Sequence, residues 1–305
     1  MVDYADAVAW FAHPLPTPLP VPAPTVDASA ARRLRDAIEP IAMHSIWSKR
    51  TNERLAGLGL DFITSYVWGR AASLGEPAAG VVIASFAVFQ PDMIAVAYER
   101  GRSTVARDVM LAARAESTIE SLTETLGDAD VLGIAAMLQT AVSSISGMGR
   151  PLFSGLRDQP WPSTPIGVLW RSCELAREHR GDGHIAVCLS EGLDPIKMNV
   201  LTELFVGMPL GSYSASRGWS AEQIADAADD LRTAGMIDAA NQDHALTGVG
   251  LDYRREIEAR TDALDQPLID AIGDLDAIVD PLRTWSTSCI QAGSFPPDPF
   301  KRAAG

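Results

Sequence analysis

WSAEQIADAADDLRTAGMIDAANQDHALTGVG, residues 219–250, carries the pattern on which the fold reading turns. Ser220 stands three residues before Gln223. The serine hydroxyl can therefore cap the first turn while the glutamine side chain reaches back to the serine N–H, which is a capping box. The helix so started runs to Ala234, and Gly235 follows where a left-handed C-cap is wanted. Met236-Ile237 then reads as a short extended piece, Asn241-Gln242-Asp243 as a turn, and Ala245-Leu246-Thr247 as the returning strand. Another helix starts at Gly248. An apolar helix over Asp194 to Phe205 and a loop over Gly207 to Gly218 precede the stretch. The order is thus helix, loop, helix, two-stranded wing, helix, with Leu-Thr-x-x-Gly (Leu246, Thr247, Gly250) at the wing's exit. Residues 193–265 read as a winged-helix domain.

Upstream the pattern is helical. Ala30 to Glu39 is rich in Ala, Leu and Arg, Pro40 interrupts it, and Ile41 to Leu58 resumes. Asp61 or a neighbour starts a helix through Ala72, followed by Pro77 to Phe89, Pro91 to Arg100, Ser103 to Leu126 and Asp128 to Ser146. Val105, Val109, Ala112, Glu116, Ile119 and Leu122 approximate 3.6-residue spacing, so one face of that long helix is core. No strand run appears before Gly149, and residues 27–148 form a helical domain. Residues 149–192 are a connection and a motif helix, with Thr164 as N-cap and Pro165 at the first helical position. Residues 266–305 add a helix, Asp270 to Gln291, and a proline-rich tail. The expected fold class is mainly α: an N-terminal helical bundle plus a C-terminal winged-helix domain with a small two-stranded wing. Residues 1–26 are a proline-rich arm, because proline at every second position from Pro14 to Pro24 enforces extended backbone. Trp10 and Phe11 are placed to anchor it in an apolar groove.

The 305 residues carry 25 Lys plus Arg against 39 Asp plus Glu, a net charge of −14. Such a chain must show any nucleic-acid face locally. The helix that would enter a major groove sets Arg217 and Arg232 against Glu222, Asp226, Asp229 and Asp230. The wing offers Asp238, Asp243 and His244 with no Lys or Arg. Phosphate contacts need cations or backbone amides. DNA is therefore the less favoured partner, and the winged helix reads first as a scaffold for dimerisation or a pocket wall, in an expected homodimer. Arg254, Arg255 and Arg260 in the following helix keep DNA binding open. Three widely spaced cysteines, Cys173, Cys188 and Cys289, fit a reducing cytoplasm. The longest apolar stretch, Ala78 to Phe89, falls short of the ~20 residues that span a bilayer. Met1 to Asp6 has no positive n-region. A cytoplasmic protein with no membrane partner is expected.

The densest cluster of chemistry is Glu178-His179-Arg180-Gly181-Asp182-Gly183-His184. Two glycines, each costing up to ~1 kcal/mol inside a helix, mark either a break or a close approach of another group. His179 and Asp182 are three apart, so the carboxylate could orient the imidazole for general acid or base work. Arg180 and His184, four apart, could hold an anionic group. The plainer reading makes Arg180 and Asp182 buried ion pairs and hydrogen-bonds the histidines between helices. Ligand binding without chemistry is a third. No metal is expected, since zinc would want a third ligand, and no cofactor, since Gly57-Leu58-Gly59 lacks a preceding strand. Tyr66 and Arg70, four apart with Trp68 beside them, could form an aromatic and cationic pocket wall.

The hexapeptide His179 to His184 occurs together with Ala31-Arg32-Arg33-Leu34, Glu39-Pro40, Gly69-Arg70-Ala71-Ala72-Ser73-Leu74-Gly75, Gly149-Arg150-Pro151-Leu152, Pro160-Trp161-Pro162 and Arg217-Gly218-Trp219. As a set these motifs resemble an actinobacterial family of helix-turn-helix-containing proteins with a MarR-like second half. The resemblance covers roughly Ala30 to Leu264 and implies a helical domain plus a winged helix. His44, just after Glu39-Pro40, joins the pocket candidates on this basis. The leading expectation is a small-molecule enzyme with His179, Asp182 and His184 catalytic, and Arg180, Tyr66, Trp68, Arg70 and His44 binding ligand in an interdomain pocket. The alternatives are a ligand-responsive winged-helix transcriptional regulator and a non-catalytic small-molecule binding protein.

Overall fold

In the computed structural model, residues 2–11, 28–238 and 245–304 are described. The elements up to the motif helix are α1 (Tyr4–Ala9), α2 (Ala30–Ala42), α3 (His44–Trp47), α4 (Lys49–Ala56), α5 (Phe62–Ala71), α6 (Ala79–Phe86), α7 (Pro91–Thr104), α8 (Arg107–Leu126), α9 (Leu132–Ser144) and α10 (Pro151–Arg157). The remainder are α11 (Pro165–Ser190), α12 (Pro195–Val206), α13 (Ala221–Thr233), α14 (Gly248–Ile272), α15 (Asp276–Gln291) and α16 (Pro299–Ala304). None of these helices is long and apolar enough to cross a membrane.

Local chemistry sets many of the starts. Asp61 accepts from the Thr64 N–H, Thr164 from Gly167 and Asp194 from Lys197, each satisfying an amide with no partner inside its helix. Ser220 and Gln223 form the reciprocal capping box. Pro40 does not end α2, which runs on to Ala42. Proline inside a helix costs about 3 kcal/mol, but Leu34, Ile38 and Ile41 on the same helix are fully buried against α11 and α15. At about 1.5–3 kcal/mol each, their burial outweighs the lost bond.

α11 is the axis of the molecule. It packs on α2, α8, α9, α10 and α14, and its Leu169, Trp170, Cys173 and Leu175 enter the main core with Leu122, Leu138 and Leu282. The helix is continuous through Gly181 and Gly183, so of the two readings of these glycines the break is absent. At Gly183 the reason for glycine is a close approach. A Cβ there would lie 2.6 Å from Nη1 of Arg150, whose guanidinium crosses α11 to donate to the His179 carbonyl and, at 2.8 Å, to that of Leu264.

A second core joins α5, α6 and α7. α12, α13 and the start of α14 share a third through Val200, Leu201, Ile224, Ala228, Leu231 and Ile237. No sheet occurs among the described residues. Instead of a two-stranded wing, Ile237 and Leu246 form one antiparallel bridge, with the Asp238 N–H on the Ala245 carbonyl and the Thr247 N–H on that of Met236, each at 2.9 Å. The extended pieces are shorter than a normal strand. Residues 239–244, which hold the expected turn and His244, lie outside the described residues, as do Met1 and the proline-rich segment 12–27. The Leu-Thr-x-x-Gly motif is explained locally. The Thr247 hydroxyl caps α14 by accepting from the Gly250 N–H and donates to the Gly235 carbonyl. A Cβ at Gly250 would meet the Met236 carbonyl at 2.2 Å. α14 then runs on to Ile272, past the expected boundary, and the tail holds α16.

Candidate functional site

A cavity of about 140 Å³ lies where α2, α5, α11, α12, α14 and the loop 207–220 converge. Its apolar wall is aromatic: Tyr66, Phe86, Phe89 and Tyr213. Its polar wall is arginine. Arg32 and Arg35 come from α2, Arg70 from α5, Arg177 and Arg180 from α11, Arg217 from the loop before α13, and Arg254 from α14.

Most of these guanidiniums are tied to carboxylates. Arg70 grips Glu178 with Nε and Nη2 at 3.0 and 2.7 Å and donates to the Tyr66 hydroxyl at 2.8 Å. Arg177 reaches Glu39 at 3.1 Å and Glu178 at 3.3 Å. Arg180 pairs with Glu258 and Asp262, each at 2.8 Å, and Arg254 with Glu258 at 2.5 Å. Burial opposes the charge on Glu258, yet Arg254 and Arg180 hold its carboxyl well below the usual range. Arg32 and Arg35 meet Asp36 at 3.0 and 2.8 Å. Arg217 differs, having no carboxylate in contact among the described residues. It donates to the Tyr213 hydroxyl at 2.5 Å and to Ser216 at 3.2 Å, and lies over the rings of Tyr213 and Phe89.

The sequence-derived residues divide. Tyr66, Arg70, Arg180, Asp182 and His184 line the cavity; His179, Trp68 and His44 do not. His179 turns the other way, with Nδ1 at 2.5 Å from Asp265 on α14 and its ring edge-on to Phe153. The carboxylate that meets it is therefore Asp265 and not Asp182, although both His179 and Asp182 lie against Phe153. Asp182 accepts from the Phe153 N–H at 3.0 Å. Burial, then Glu178, pushes its carboxyl up to about 7. Trp68 is core: it packs on Gly101 and donates to the Val105 carbonyl at 2.9 Å. His44 is buried against α8, with Nε2 at 2.9 Å from Ser121, and burial lowers it to about 4.

His184 is neutral and satisfied. The Thr261 hydroxyl gives its proton to the Ile257 carbonyl at 2.8 Å, so it accepts from His184 Nδ1 at 3.1 Å. That assigns the proton to Nδ1 and leaves Nε2 facing the Cys188 thiol at 3.6 Å. Burial and Arg254 push the imidazole down to about 3, and burial raises the thiol to about 11. Neither is a base or a nucleophile near neutrality. No group of three His, Cys, Asp or Glu among the described residues is arranged to hold a metal.

Sequence reasoning missed Arg217 as a site residue, and it missed Lys301. The Lys301 amine on α16 is 2% exposed and lines a 30 Å³ cavity with Phe11, Trp47, Phe89 and Arg217. This smaller cavity shares Tyr66, Phe89, Arg177 and Arg217 with the larger one. Phe11 packs edge-on to Trp47 here, while the proline-rich segment it was expected to anchor lies outside the described residues.

The outer face of α13 is acidic, as its sequence indicates: Glu222, Asp226, Asp229 and Asp230 are exposed and Arg232 is paired to Asp229. The three arginines of α14 are also engaged. Arg254 is buried on Glu258, Arg255 meets Asp252 at 2.9 Å, and Arg260 pairs with Glu191.

No curated protein and no solved structure matches the chain significantly. A family profile described as a helix-turn-helix family does, over residues 31–296. That span takes in the α12 to α14 unit together with every helix that builds the larger cavity except α16. The chain belongs to this helix-turn-helix family.

Proposed function

We propose that the protein is a ligand-responsive helix-turn-helix regulator, in which a small molecule bound in the larger cavity biases the α12 to α14 unit. The observation that carries this reading is the ownership of the cavity wall. Tyr66, Arg70 and Arg180 come from the helical body, whereas Met198, Asn199, Thr202, Arg217, Arg254 and Glu258 come from α12, α14 and the loop into α13. A ligand there touches both parts, and only differential contact of that kind can shift an equilibrium between two arrangements.

The loop 87–90 supports the coupling. Phe89 and Val88 line the cavity, the Val88 carbonyl accepts from Asn199 on α12 and from Trp219 at the start of α13, and the Gln90 N–H donates to the Arg217 carbonyl. Ala87, with φ 41° and ψ −68°, is the one described non-glycine residue with positive φ. Strain of this kind costs on the order of 1–3 kcal/mol and collects at clamps and switches. The α12 to α14 unit with its single bridge fits a winged helix with a minimal wing. An acid–base enzyme is less well supported, since His179 is outside the cavity and His184 is held neutral.

Selection from a random pool of duplex DNA at low salt tests the regulator reading, with and without a panel of single-ring aromatic acids, amides and alcohols. Enrichment of one sequence, changed by a panel member, is the expected result. The acidic α13 face implies few phosphate contacts and hence a shallow salt dependence. No enrichment would leave a binding protein without a DNA function.

A further inference from the structure

The two cavities meet at Arg217, and the cations on either side of that junction have no carboxylate in contact among the described residues. Arg217 is held by hydroxyls and ring faces. The Lys301 ammonium lies over the rings of Phe11 and Tyr213, at 5.4 and 5.6 Å. Burial, then the nearby Arg217, pushes that amine down to about 7 against the opposing pull of Glu39, the response of a buried cation placed beside another cation.

Among the described residues, the guanidiniums of the larger cavity other than Arg217 pair with the carboxylates of Asp36, Glu39, Glu178, Glu258 and Asp262. Asp182, the remaining acid in the wall, has its carboxyl pushed up to about 7 by burial. In a chain of net charge −14, two buried cations, Arg217 and Lys301, with no carboxylate in contact among the described residues, beside one aromatic-walled cavity are a specific arrangement. Buried charge without a partner is costly, and an anionic ligand supplies the partner.

We propose that the junction between Arg217 and Lys301 binds the carboxylate of a small single-ring aromatic acid, with the ring in the larger cavity between Tyr66, Phe86 and Phe89. This rests on the cavity being a ligand site and adds the class of ligand. The volume of about 140 Å³ is close to that of an apolar cavity known to take benzene, about 150 Å³, so one ring fits and a fused polycycle does not. The rings of Phe89 and Tyr213 make the junction selective for an anion carrying apolar surface over a bare inorganic one, since phosphate alone would leave that surface unfilled.

Isothermal titration of the full chain with benzoate, benzamide and inorganic phosphate tests it, on the wild type and on Lys301→Met. Benzoate is expected to bind at least about tenfold more tightly than its neutral isostere, as a charged hydrogen bond allows, and phosphate not to displace it. Lys301→Met should remove that preference, leave benzamide unaffected and not lower the melting temperature, which a purely structural lysine would. Lys301→Gln carries the same comparison if the methionine variant does not fold. Equal binding of benzoate and benzamide in the cavity overturns the acid class while keeping the ligand site. Phosphate binding as tightly as benzoate overturns the aromatic class. Benzoate affinity retained in both variants overturns the anchor. Failure of every ring compound to bind overturns the site reading as well.

Discussion

The indole N–H of Trp219 donates to the carbonyl oxygen of Val88 across 3.0 Å. The same oxygen takes the Asn199 side-chain amide at 2.6 Å. One carbonyl on a body loop therefore holds both the middle of α12 and the residue before the Ser220 cap of α13, and its own side chain lines the cavity. Trp219→Phe keeps the ring and deletes the donor. Because Asn199 still satisfies the oxygen, the loss of stability should be small, about 0.5–1 kcal/mol. The coupling should suffer more. Hydrogen exchange in α13 that responds to a cavity-bound probe in the wild type should cease to respond in the variant.

His179→Ala should behave as a core mutation. It leaves the buried Asp265 without its imidazole and empties the space edge-on to Phe153. A loss of about 3 kcal/mol is expected, seen as a fall in melting temperature on the order of 10 °C. Binding of a cavity probe, measured at a temperature where the variant is folded, should be unchanged. Lost binding with an unaltered melting temperature would instead place His179 in the site.

The caps and the histidine motif show where the sequence was legible. The Ser220 to Gln223 box, the Asp61, Thr164 and Asp194 caps and the Thr247 to Gly250 turn were all readable, because donor and acceptor lie three residues apart. The hexapeptide was singled out correctly as unusual, yet its two glycines were open to being a break. The group that needs the gap at Gly183 is Arg150, on a different element, and the partner of His179 is Asp265, 86 residues on. Spacing along one helix could not reveal either. Tyr66 and Arg70 were found as a pair because i, i+4 neighbours touch. Arg217 and Lys301 carry no local pattern. Their meaning comes from having no carboxylate in contact among the described residues, which shows only once the loop before α13 and α16 are brought together.

Asp182→Asn tests the environment of the one cavity carboxyl outside the ion pairs. Glu178 raises its affinity for a proton, while Arg70, Arg150 and the Phe153 N–H oppose, and burial dominates, giving about 7 in the folded state. Between about pH 4 and 7 the folded chain thus binds a proton that the unfolded chain has released. Stability from this group is complete at the acidic end and lost as pH rises towards 7. Asparagine keeps an acceptor for Phe153 and does not titrate. The stability of the wild type relative to the variant should therefore fall with rising pH over that window, by at most about 1.4 kcal/mol per unit. Urea midpoints of both proteins near pH 5 and pH 8 check it, and a difference that grows with pH would contradict the raised value.

Lys301 gives the ligand proposal a proton-linked signature. The amine faces Arg217, Arg177 and Arg35, which disfavour its charge, Glu39, which favours it, and the rings of Phe11 and Tyr213. Burial is the largest cause of its fall to about 7. Below that pH the site already carries its ammonium, so benzoate, ionised throughout, should bind without proton uptake. Above it the empty site holds a neutral amine, and binding an anion must bring a proton in. Affinity should then decline with rising pH, towards a limit of about tenfold per unit. Titration in two buffers of different ionisation enthalpy should show an uptake approaching one proton near pH 8 and close to none near pH 6. A pH-independent affinity for benzoate, with no difference between buffers, would mean that the carboxylate is held by the arginines alone.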